Sequence, residues 1–144
     1  MIEQDTIRLL RECDAGVKMG ISSISDVLDY VHAEDFKTIL TDCKQAHEKM
    51  DREITELLSS YHEDGKSPNT MAKAMSFAKT SVKLAMNDTD HTIADLMTDG
   101  CNMGVKSLSK YLNKYTAADE KSKNITKRLI DLEQRLAFDV QKYL

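Results

Sequence analysis

Apolar residues recur along this chain at steps of three and four, the spacing of one face of an α-helix. The first stripe, Ile7, Leu10, Val17, Ile21, Ile24, Leu28 and Val31, predicts a helix over residues 5–32 with Asp5 as its N-cap. After a break near Ala33, a second stripe runs through Ile39, Cys43, Ala46, Met50, Ile54, Leu57 and Tyr61. Asp64-Gly65 is expected to stop this helix, and Ser67-Pro68-Asn69 to form a loop. A shorter helix follows over 70–86, with Met71, Ala74, Met75, Ala78, Val82 and Ala85 on one face. Two further stripes complete the pattern: Ala94, Cys101, Val105, Leu108, Leu112 and Tyr115, then Ile125, Leu129, Leu132, Leu136, Val140 and Leu144. Ala117-Ala118-Asp119 separates them. Tight connections between long helices predict antiparallel hairpins. The expected architecture is all-α: one four-helix-bundle domain over 1–144, with hairpins over 5–64 and 89–144 and a crossover helix over 70–86.

The two halves repeat each other. Shifting residues 16–35 by 84 positions matches Gly16, Met19, Gly20, Ser23, Ser25, Leu28, Ala33 and Asp35 to identical residues at 100, 103, 104, 107, 109, 112, 117 and 119. Unrelated segments of this length would share about one or two. The second helices continue the match two residues later, pairing Ile39 with Ile125, Met50 with Leu136 and Ile54 with Val140. The chain thus reads as a duplicated helical hairpin joined by one long crossover.

Asp14-Ala15-Gly16, Ser76-Phe77-Ala78-Lys79-Thr80 and Asp99-Gly100 carry a resemblance to a bacterial ferritin-like family catalogued only as a domain of unknown function. The resemblance spans most of the chain through short motifs. It implies the ferritin-like bundle and brings no established activity.

Composition narrows the function classes. Hydrophobic residues make up 41% and charged residues 31%, a globular balance. A net charge of −4 implies no partner, and no basic run with interleaved aromatics offers a nucleic-acid footprint. No apolar stretch approaches the roughly 20 residues of a membrane span. Residues 1–11 are polar and lack the apolar core of a signal peptide, so the expected location is cytoplasmic. Cys13, Cys43 and Cys101 form no Cys-x-x-Cys pair and read as buried, reduced thiols. Lys66, Lys73, Lys79 and Lys83 make the crossover helix basic; covering the bundle with its lysines in water and seeking a membrane or partner groove are its two readings.

Ferritin-like metal sites take a carboxylate from the first helix of each hairpin and Glu-x-x-His from the second, because residues three apart share a face. This sequence has no Glu-x-x-His: Lys44 stands three before His47, and Leu136 three after Glu133. No cofactor and no metal site are expected. Four residues remain as candidates for a polar core site: Asp14, His47, Cys101 and Glu133. Asp14 lies on the first apolar stripe and requires a partner, solvent or a ligand. His47 lies on an apolar stripe, where it could not accept phosphate as an exposed histidine does. Gly16/Gly20 and Gly100/Gly104, costly inside helices, are expected where the first and third helices cross, with a ligand cleft as the alternative. The shift of 86 that aligns Ile39 with Ile125 also aligns His47 with Glu133, so the two are expected at similar height and within reach of one hydrogen bond. The functional expectation is a non-catalytic bundle with a structural or binding role, with homo-oligomer contacts through helical surfaces left open. The alternative is a metal-binding or redox ferritin-like protein with a degenerate site.

Overall fold

The computed structural model describes residues 2–63, 65 and 89–144. Among them are four helices and no strand: α1 (Ile2–Leu28), α2 (Glu34–Ser60), α3 (Thr89–Lys114) and α4 (Glu120–Asp139), followed by a 3₁₀ turn at Gln141–Tyr143. They pack as a four-helix bundle, in which α1 and α4 each contact all three other helices. The expected crossover helix and its Met71, Met75, Ala78 and Val82 face lie outside the described residues.

The apolar stripes close into two clusters. One gathers Leu10, Val17, Met50, Ile54, Leu108 and Leu129, among others, and the second gathers Ile24, Val27, Phe36, Leu40, Ile93 and Leu136. Each fully buried side chain of this size contributes roughly 1.5–3 kcal/mol through apolar surface removed from water. This burial, rather than helix propensity, stabilises the long helices.

Element ends depart from the sequence pattern for local reasons. The first helix stops at Leu28 rather than near His32. Val31 stays 3% exposed but sits in the connection, so the apolar stripe continues after the helix has ended. The connection is held by Asp90, whose carboxylate accepts from His32 N–H at 2.7 Å and Ala33 N–H at 2.9 Å. Asp5 is not an N-cap, because α1 already begins at Ile2. It sits in the first turn and accepts from Ala117 N–H at 3.1 Å, in the other connection. The start of α1 thereby holds the connection between α3 and α4, and the start of α3 holds the connection between α1 and α2.

The second helix ends at Ser60, before Asp64-Gly65. His62 adopts φ 57°, its N–H donates to the Ser59 carbonyl at 3.0 Å, and Glu63 N–H reaches back to the Leu58 carbonyl at 3.1 Å. This is a Schellman stop with histidine in the place usually held by glycine. Asp119 caps α4 by accepting from Ser122 N–H at 2.8 Å, while its own N–H donates to Thr6 at 2.8 Å. The fourth helix stops at Asp139; the following turn stacks Tyr143 on Phe36 at 4.3 Å and leaves Leu144 52% exposed, outside the core expected for it.

Of the four repeated glycines, Gly16 stands nearest to the expected helix crossing: a methyl there would meet Leu108 of α3 and Leu129 of α4 at 3.9 Å. Gly100 faces open space, and a methyl added there would meet nothing within 4 Å. Gly100→Ala should therefore raise stability by about 1 kcal/mol, the helix-propensity gain of alanine over glycine. A urea denaturation midpoint that stays level or falls in this variant would contradict that placement.

Candidate functional site

Each helix contributes one position that falls between the two apolar clusters. On α1 it is Gly20, between Val17 and Ile24; on α2 it is His47, between Cys43 and Met50. On α3 it is Gly104, between Cys101 and Leu108; on α4 it is Glu133, between Leu129 and Leu136. The core is thus interrupted at mid-height by a layer of two glycines, a histidine and a glutamate.

His47 Nε2 lies 2.7 Å from Glu133 Oε1, and its Nδ1 lies 2.8 Å from the Cys43 carbonyl oxygen. A carbonyl oxygen only accepts, so Nδ1 carries a proton. Nε2, facing the Glu133 side chain at 2.7 Å, is placed to donate as well, the arrangement that favours an imidazolium. The ring is fully buried, while the Glu133 side chain is 12% exposed. Burial opposes the charge on the ring, but the Cys43 side chain, whose Sγ lies 3.5 Å from Nδ1, and the Glu133 carboxylate outweigh it and push His47 up to about 10. The folded value lies above the unfolded one. The pair's stabilisation is therefore fully present below about pH 6.5, the ordinary imidazole value, and is lost as pH rises through about 10.

The glycines are the seats of these two side chains. A methyl on Gly20 would stand 2.6 Å from His47 Nε2 and Cδ2, an overlap. A methyl on Gly104 would stand 3.4 Å from Glu133 Oε2, a tight contact. The expectation that these two mark the crossing of α1 and α3 is corrected: each makes room for a side chain from the other helix of its own half. Sequence reasoning found the pair but missed this use of the glycines and the part of the Cys43 carbonyl. The available signal was the alignment of Gly20, His47, Gly104 and Glu133 as simultaneous interruptions of four apolar stripes.

Cys101 of α3 lies in the apolar cluster that borders the layer, beside Glu133. Burial, then the Glu133 charge beside it, raise its thiol above the ordinary range, so it is a poor nucleophile. Cys43 Sγ lies 3.5 Å from His47 Nδ1, so Cys43, His47 and Glu133 line up in the order nucleophile, base and carboxylate. Nδ1 is already committed to the Cys43 carbonyl, however, and the thiol is 7% exposed. Both described cavities open elsewhere, one along Glu53, Lys121, Asn124 and Arg128 and one beside Asp14 and Lys18. The line of groups lacks a free basic nitrogen, because Nδ1 is held by the Cys43 carbonyl and Nε2 by Glu133.

Asp14, the fourth candidate, does not belong to this layer. It lies six residues before Gly20, about 9 Å along the helix axis. It is buried, paired with Lys18, and covered by Gly65, where a methyl would collide with its carboxylate. Lys18 also reaches Asp51 at 3.2 Å, making a charge network near the end of α2.

A ferritin-type metal pair does not fit the layer. The places facing His47 and Glu133 hold glycines instead of carboxylates, Nδ1 donates to the Cys43 carbonyl, and Nε2 is taken up by Glu133. Among the described residues, no group of three or more His, Cys, Asp or Glu is arranged to hold a metal ion. No helix among them is long and apolar enough to cross a membrane.

Glu133→Leu alone should destabilise the fold by about 3–5 kcal/mol, because it breaks a buried pair and leaves the His47 ring without the partner of its Nε2. His47→Leu combined with Glu133→Leu should cost clearly less, since an apolar layer leaves no unpaired charge. Chemical denaturation of the two single variants and the double variant measures this; equal or greater loss in the double variant would overturn the assignment.

No family model, curated protein or solved structure matches this chain.

Proposed function

We propose that this chain is a non-catalytic helical bundle of ferritin-like plan, produced by duplication of a helical hairpin, with a structural or binding role. The observation that carries this reading is the polar layer. At the height where a ferritin-type bundle places its metal ligands, both nitrogens of His47 are used internally, to Glu133 at 2.7 Å and to the Cys43 carbonyl at 2.8 Å. The groups that would do chemistry are spent on one another. The thiols support the same reading: Cys13, Cys43 and Cys101 are all free and buried, and Cys13 is engaged with Thr126 at 3.2 Å. The duplicated plan is supported by the 84-position likeness of the first helices and by the matched clamps of Asp5 and Asp90 on opposite connections.

Elemental analysis of the whole chain, purified without a histidine tag after growth with added iron, manganese and zinc, tests this. The expected content is well below one metal per chain. Two metals per chain would replace this reading with that of a metal protein.

A further inference from the structure

We propose that the polar layer selects which half of the bundle pairs with which, accepting the second half against the first and rejecting a second copy of the same half. The inference rests on the equivalence of the two halves proposed above, and does not depend on whether the protein is an enzyme.

A duplicated hairpin has a pairing problem. Halves with like apolar faces can assemble within one chain or, between chains, like with like. Part of the apolar core does little to separate these outcomes, because equivalent places hold similar residues, Ile24 and Leu108, Met50 and Leu136, Ile54 and Val140, whereas Phe36 against Ser122 and Leu40 against Thr126 are unlike. Shape does little at the layer either, because each half supplies a glycine and one longer side chain seated on it. Within the layer, what differs is charge. In the observed pairing, α2 faces α4 and the imidazolium meets the carboxylate at 2.7 Å. Pairing two first halves in the same way would set His47 against His47, and pairing two second halves would set Glu133 against Glu133. Either arrangement sets two like-ionising groups together between apolar clusters, so one of each pair must shed or take up a proton and the opposite-charge pairing is lost. The glycine seats hold the charged groups at this height, because the Gly20 seat closes on the ring within the same half. A single buried polar position fixes partner choice in coiled coils by the same logic.

The test uses two full-length variants, Glu133→His and His47→Glu, one of them isotopically heavy. Each alone carries a like-charged layer; together they restore opposite charges only between chains. Mixed, refolded from denaturant near pH 6 and read by native mass spectrometry, they should form a heavy–light dimer at least roughly tenfold above the level of a heavy–light mixture of the parent chain. Refolding the two together gives this readout even where one variant does not fold alone. As a second arm, the neutral variant His47→Gln with Glu133→Gln removes the charge difference while keeping hydrogen-bonding capacity; its dimer fraction should rise severalfold over the parent. A heavy–light dimer no more abundant than in the parent mixture, or a neutral variant with the parent's distribution of sizes, overturns the proposal. Metal found by elemental analysis would overturn the functional reading and leave this result untouched.

Discussion

One buried ion pair sets the terms for the middle of this bundle. The His47 ring cannot be brought into the core without a partner on each nitrogen, and the structure supplies both, the Cys43 carbonyl along its own helix and Glu133 across the bundle. It also cannot be brought in without space, and Gly20 supplies that by omitting a side chain where a methyl would overlap the ring. A glycine inside a helix costs about 1 kcal/mol relative to alanine, and a stranded buried charge costs more. The sequence features that weaken α1 locally are therefore conditions for the charge pair that joins α2 to α4.

The apolar clusters on either side give the pair its weight. A histidine–carboxylate contact in water is worth little, because solvent competes for both groups. Here the layer lies between Met50 and Leu129 on one side and Cys43 and Leu136 on the other, so neither group has water as an alternative partner over most of its surface. Contacts at the bundle ends work differently. Asp5, Asp90 and Asp119 accept from backbone N–H groups of connections and helix starts, and so fix where the chain turns rather than which helices meet. Arg128 reaches Glu53 through two hydrogen bonds of 3.0 and 3.1 Å, but in solvent, where such pairs contribute little.

Much of this was legible in the sequence, for a physical reason: a long amphipathic helix writes its buried face into the spacing of its apolar residues. The four helices and the connections near Ala33 and Ala117 follow from that spacing. The contact of His47 with Glu133 was legible because the sequence shift of 86 that aligns Ile39 with Ile125 also aligns these two residues, and aligned positions are expected at equal height. The ends were less legible. Val31 is buried in a connection rather than a helix, and His62 takes a left-handed backbone that favours glycine, so α2 stops before the glycine that seemed marked for it. Asp14 shared an apolar stripe with the layer's residues but sits over Gly65 and Lys18, because a stripe gives direction and leaves height to be settled by packing. The seats at Gly20 and Gly104 were hidden for a further reason: a missing side chain carries no mark of what fills its place.

The account stands or falls on the charge of His47. Nitrogen-15 NMR of the imidazole in the intact protein reads it directly. The account predicts that both ring nitrogens stay protonated at pH 8 and that the ring releases its proton only close to pH 10. A ring with one bare nitrogen at pH 8, titrating near the ordinary value of about 6.5, would contradict it.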